Sequence, residues 1–152
     1  ALALADGGVQ IWPDGGREIT AIVPFDDYLF AGNRDGQLLR WRLDSPEEMP
    51  TVIAQEPHSI YMLRFAWIGG LPHLVYDSKA YGVKVRSLTE SELSTRYQCD
   101  EQTRWADAAP GIVAGVTADQ ATLMLWSTQH PDASAARVQI GEKVQDIAIW
   151  SA

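Results

Sequence analysis

The chain has 152 residues and a mass of 16.8 kDa, room for one domain burying about two-thirds of its unfolded surface. Apolar residues make up 46% and charged residues 21%, which excludes wholesale disorder, and the longest apolar run, Ile112–Val116, is far below the roughly 18 residues of a membrane span. A net charge of -8, with Arg34, Arg40 and Arg42 the only basic cluster and Asp35 and Asp44 beside it, argues against nucleic acid and anionic membranes.

From the amino end, Ala1-Leu2-Ala3-Leu4-Ala5 has no basic flank and meets Asp6 at once, unlike a signal peptide. The chain starts without methionine, as expected of a portion of a longer polypeptide. Short apolar or alternating runs follow in order: Ile19–Phe25, Tyr28–Ala31, Gln37–Leu43, Ile60–Trp67, His73–Tyr76, Gly82–Val85, Ile112–Val116, Thr122–Trp126 and Val144–Trp150. Turn residues separate them, among them Pro13-Asp14-Gly15-Gly16, Asp26-Asp27, Asp35-Gly36, Gly69-Gly70 and Pro110-Gly111. The one helix candidate, Ser87 to Tyr97, reads equally well as a polar connection. The chain is therefore all-β.

Two markers repeat in one register. Inner strands starting at Ile19, Ile60, Thr103 and Val144 are spaced 41, 43 and 41 residues apart. Strands ending in tryptophan follow a turn at Trp12, Trp41 and Trp126, and Arg86 fills that slot in the middle unit, where it is expected to stack on an aromatic ring or meet a carboxylate. A period of 40–45 with a Trp-ended strand is the pattern of propeller blades.

On these residues the sequence resembles the WD-repeat β-propeller family. Ile19-Thr20-Ala21-Ile22-Val23-Pro24-Phe25, then Tyr28 to Gly36, then Gln37-Leu38-Leu39-Arg40-Trp41 follow its pattern of inner strand, small-residue strand, Asp-Gly turn and Trp-ended strand. The resemblance implies a β-propeller of four-stranded antiparallel blades. Those blades are expected at about 19–59, 60–102 and 103–143, with 144–152 and 1–18 joining as a closing blade, all within one propeller segment spanning 1–152. No tryptophan here is followed by aspartate, so the polar network of that family is incomplete.

Chemistry-bearing motifs are sparse. His58, His73 and His130 each stand beside a proline, which marks loops rather than clustered metal ligands. There is no Gly-x-Ser-x-Gly and no phosphate loop. Cys99 has Asp100 and Glu101 beside it, which oppose a thiolate, and is expected as a packed residue of an outer strand. A single cysteine also excludes an internal disulfide and fits a reducing, cytoplasmic compartment. No catalytic residue, metal or cofactor is expected.

What remains is surface recognition. The resemblance puts the turns between second and third strands, and those entering each inner strand, on one rim. Here that rim carries Arg34, His58, Ser78, Lys79, Tyr81, Arg104 and Asp119, including residue types that anchor protein interfaces. The expected function is a non-catalytic protein-interaction scaffold, part of a larger bacterial protein, whose partner is another protein or a second copy joined head to tail. A propeller binding a small molecule or glycan is the alternative, followed by an accessory domain of a peptidase or kinase.

Overall fold

The computed structural model describes residues 2–3, 9–10, 13–14, 16–77, 82–89 and 93–149. β1 (Leu2–Ala3) and β2 (Val9–Gln10) pair antiparallel as a two-stranded ribbon. The first four-stranded sheet is the meander β3 (Ile19–Phe25), β4 (Tyr28–Asn33), β5 (Gln37–Arg42) and β6 (Thr51–Gln55). The second is β7 (Leu63–Ile68), β8 (Leu71–Tyr76), β9 (Gly82–Ser87) and β10 (Ser94–Gln98). The third is β11 (Thr103–Ala109), β12 (Ile112–Thr117), β13 (Thr122–Ser127) and β14 (Ala136–Gln139). All neighbours are antiparallel, and the inner strand β7 contacts both β3 and β11, so the sheets stack as successive blades.

Each inner hairpin closes through two residues, by a different chemistry. Asp26-Asp27 uses an aspartate at φ 52, Gly69-Gly70 has both residues at positive φ (60 and 76), and Pro110-Gly111 pairs a proline with a glycine at φ 89. These hairpins set the register, and the pleat then sends alternate side chains toward the preceding and following blade. The row Ala21–Gly32–Leu38–Ala54 faces the second blade, and Arg64–Val75–Val85–Thr95 faces the third. Buried Leu38, Ile60, Leu63 and Leu74 fill the first seam, and Val75, Val83, Val113, Met124 and Trp126 the second.

Gly36, at φ 79, closes the β4–β5 turn, and a Cβ there would lie 2.6 Å from the His58 carbonyl oxygen and strike that of Glu56. Gly36→Ala is expected to cost about 1–3 kcal/mol, read as a lower urea midpoint at unchanged slope.

The register corrects three expectations. Counted from the hairpins, Trp41 pairs Leu29 and Trp126 pairs Val113, but Pro72, their counterpart, lies opposite Leu88, whose N–H donates to it at 2.9 Å. Leu88 therefore holds the tryptophan slot, and Arg86, opposite Leu74, stands where the first and third blades carry Leu39 and Met124. A two-residue displacement keeps a side chain on the same face, so periodicity alone does not reveal it. The second blade instead carries its tryptophan on the inner strand: Trp67 makes edge contacts with Phe25 and Phe65, which stack at 4.1 Å.

The segment from Ser87 to Tyr97, read as a helix or polar connection, contributes the outer strand β10, whose Tyr97 turns inward and is buried. The inner strand expected at Val144–Trp150 is not formed: residues 143–149 belong to no strand, and Trp150 lies outside the described residues. The segment nevertheless runs beside β11. Val144 N–H donates to the Gln120 carbonyl, Ile149 N–H to the Asp107 carboxylate at 2.7 Å, and Asp146 pairs with Arg64 of β7. These contacts anchor it by side chains and its ends rather than by a ladder. The result is three blades and a partial fourth.

Candidate functional site

The rim that carries the β4–β5 and β12–β13 turns also receives the entries to the inner strands. Tyr61, just before β7, meets the Arg34 guanidinium, which also bridges Glu18 at 2.9 Å. Ser59 Oγ donates to the Arg34 carbonyl at 2.6 Å, tying the approach to β7 onto the β4–β5 turn. Across from Tyr61 lies a β-bulge: Thr103 pairs Thr117 and Trp105 pairs Val116, which leaves Arg104 as the extra residue. That bulge turns Arg104 outward, with its guanidinium 5.5 Å from the centroid of the Trp105 ring.

Between them is a cavity of about 430 Å³ lined by Tyr61, Asp77, Gln102, Arg104, Trp105 and Ala118, among others. The volume lies within the range of ordinary ligand pockets. Its walls mix aromatic surface with a guanidinium and the buried Asp77 carboxylate.

Of the rim residues singled out in the sequence, Arg34 meets Tyr61, and Arg104 lines the same cavity as Tyr61. His58 is exposed, with its carbonyl against Gly36 on the same rim. Asp119 is exposed, but its carboxylate serves the turn: it accepts from the Thr117 hydroxyl and from the Ala121 N–H at 3.0 Å, and those bonds, in that order, lower its pKa. Ser78, Lys79 and Tyr81 lie outside the described residues. His73, read as a loop residue, is inside β8, with Nδ1 2.9 Å from the Leu71 carbonyl oxygen. Among the described residues no three His, Cys, Asp or Glu side chains group as metal ligands. No helix among them is long and apolar enough to cross a membrane.

Sequence reasoning missed Tyr61 and Trp105, which sit in an entry segment and on an inner strand with no motif of their own. It also missed Glu56, a buried carboxylate between the first and second blades. Glu56 follows β6 and accepts from Tyr76 Oη at 3.0 Å, Lys84 Nζ at 2.6 Å and Arg96 Nη2 at 3.2 Å. Tyr76, Lys84 and Arg96 are cross-strand partners in one row of the second blade, so three donors converge from three strands. Burial first, and the Glu56 charge second, push the Tyr76 phenol up. Lys84, a cation flanked by Val83 and Val85, signals a buried acceptor in the sequence without indicating which residue supplies it.

Cys99 lies just beyond β10 rather than within it, half-buried, with Sγ donating to the Glu101 carbonyl at 2.9 Å. Burial, the largest influence, pushes its thiol above the ordinary value, so less thiolate is present at any pH below the shifted pKa. Alkylation at pH 8, followed by intact mass, is expected to be slower than for an unstructured cysteine and to accelerate when urea unfolds the chain.

Four-stranded meanders stacked through their inner strands define a β-propeller. No protein-family model matches the sequence, and no curated protein matches it. Among solved structures, the chain is similar to the computationally designed Ika4 protein at 16% identity and TM-score 0.69, over 95% of this chain and 88% of that one. It is similar to the β-propeller domain of Myceliophteria thermophila Cps50 (Swd1) at 20% identity and TM-score 0.63, over 84% of this chain and 42% of that one. Similarity to the N-terminal domain of Nup159 is 10% identity at TM-score 0.57, over 88% of this chain and 37% of that one. The chain thus spans less than half the length of the latter two.

Proposed function

We propose that this propeller is a non-catalytic scaffold, similar to WD-repeat proteins, that recognises a partner protein at the rim cavity. The observation that carries the reading is the cavity between Tyr61 and the bulged Arg104, where an arginine and aromatic rings gather on one concave surface. Tyrosine, tryptophan and arginine are the side chains that dominate interface energetics when clustered.

The test is affinity capture with quantitative mass spectrometry, comparing the wild type with the Tyr61→Ala/Arg104→Ala variant. An Arg137→Ala control on the exposed outer strand β14 runs in parallel. Proteins retained by wild type and control but lost by the double variant, with its circular dichroism unchanged, support the reading. Identical captures from all three overturn it. The cavity volume also favours a second reading, recognition of a small molecule or glycan, which thermal shifts with sugars and metabolites would test.

The same proposal includes completion of the fourth blade by residues 144–152 and 1–18, within one chain or head to tail with a second copy. Trp41 Nε1 donates to the Pro13 carbonyl and Trp126 Nε1 to that of Gln98, each 3.0 Å away and each 28 residues back. Pro13 therefore stands to the first blade as Gln98, the end of the second blade's outer strand, stands to the third. Light scattering distinguishes the two closures: a mass near 16.8 kDa supports closure within the chain, and about twice that supports exchange.

A further inference from the structure

In each complete blade the third strand pairs with a fourth: β5 with β6, β9 with β10 and β13 with β14. In the closing blade proposed above, β2 is the third strand, and among the described residues it pairs with β1 alone. The chain that follows it is too short to return as a fourth. Residues 43–62 connect β5 to β7 and residues 88–102 connect β9 to β11, and each span holds an outer strand of 5 residues. Only residues 11–18 connect β2 to β3; they include the turn from Pro13 to Gly16, and those described belong to no strand.

The flanking blades are bare at the matching radius. Ile22–Ala31–Leu39–Val52 is one cross-strand row on the face of the first blade turned away from the second, and Trp105–Val116–Leu123–Val138 is one on the far side of the third. Ala31, Leu39 and Val116 are buried, whereas Val52 and Val138, on the outer strands, are exposed. Ile22 is exposed at the inner end, where residues 144–149 stand in a completed blade. In the seam between the second and third blades, Tyr97 of the outer strand β10 is buried against Trp126 and closes that radius. An unpaired strand edge offers a row of N–H and C=O groups to an added strand, and apolar surface on both sides selects one that is apolar on both faces.

We propose that the outer position of the closing blade is a slot in which an extended segment of a partner protein adds antiparallel to β2 as the missing fourth strand. The segment is uncharged and β-branched at its centre, because Val52 and Val138 face it from opposite blades. This inference rests on the blade completion proposed above and is separate from recognition at the rim cavity.

The test is selection of a phage-displayed random-peptide library against the full chain, with hydrogen exchange of the chain measured with and without the enriched peptides. Enriched peptides are expected to carry adjacent apolar residues and to slow exchange in β2. The Val52→Lys/Val138→Lys variant should bind them about tenfold more weakly or worse, since lysines on an outer strand block strand addition. The Tyr61→Ala/Arg104→Ala variant should bind them as the wild type does. Either single lysine variant provides the same comparison if the pair does not fold. No enrichment, binding untouched by the lysines, or protection at β6, β10 or β14 in place of β2 overturns the proposal. A doubled mass in light scattering that the lysine pair returns to that of one chain assigns the slot to a second copy and overturns the partner assignment. Where no peptide is enriched, slow exchange in β2 and residues 144–149 leaves blade completion standing, and rapid exchange in both overturns it as well.

Discussion

Replacing Glu56 with alanine is expected to remove about 3–5 kcal/mol of unfolding free energy, measured by urea denaturation followed by circular dichroism. The Glu56 side chain is 2% exposed, while Lys84 and Arg96, 20% and 25% exposed, point at it from the next blade. Removing the carboxylate leaves two partly desolvated cations facing each other and the Tyr76 hydroxyl without its acceptor. Most of the loss comes from those stranded groups rather than from the attraction itself. A Glu56→Leu/Lys84→Met/Arg96→Met triple variant, which removes all three charges, should therefore recover much of the stability. If the triple variant is as unstable as Glu56→Ala, the loss came from packing and the electrostatic account is wrong.

The second large effect concerns Trp126. Its side chain is 2% exposed and closes the seam between the second and third blades, 6.3 Å from the Tyr97 ring centroid, with its N–H on the Gln98 carbonyl. Trp126→Ala should cost about 3–5 kcal/mol, since the rigid neighbouring sheets collapse only partly into the space. Trp126→Phe keeps most of the apolar contact but removes the donor, and about 1–2 kcal/mol is expected. A loss for phenylalanine equal to that for alanine would show that the hydrogen bond, not the ring volume, holds the seam.

The strands that were legible are those whose burial constrains their sequence. Ile112–Thr117 is apolar on both faces, Ile19–Phe25 alternates a half-buried row with the exposed Ile22 and Pro24, and their two-residue hairpins announce themselves as Pro-Gly and Asp-Asp. Outer strands were not legible for the converse reason: Ala136–Gln139 is exposed at every position, so no alternation is imposed on its sequence. The displacement of Arg86 was hidden because the connection before β9 changes the pairing by a whole pleat, which leaves the hydrophobic pattern intact. Of the candidate site, Arg34 and Arg104 were visible as rim cations. The placing of Arg104 on the cavity wall with Tyr61 depends on a bulge, and backbone irregularities of that kind leave no periodic mark. Glu56 was invisible because its partners come from 20 to 40 residues further along the chain.

The exposed apolar residues at the two ends of the stack carry a kinetic meaning. Ile22 is 57% exposed and Val52 42% on the face of the first blade turned away from the second, and Val138 is 46% exposed on the far side of the third. Only the middle sheet is covered by a complete blade on each side. In a linear array, where each unit is stabilised by its neighbours, opening propagates inward from the ends. The amides of Leu74, Val75, Val83 and Val85 should therefore be the last to exchange with deuterium, and the first and third sheets should release theirs through smaller, separate openings. Covering either outer face, by ring closure or by a second copy, would slow exchange in that end sheet first and leave the middle nearly unchanged.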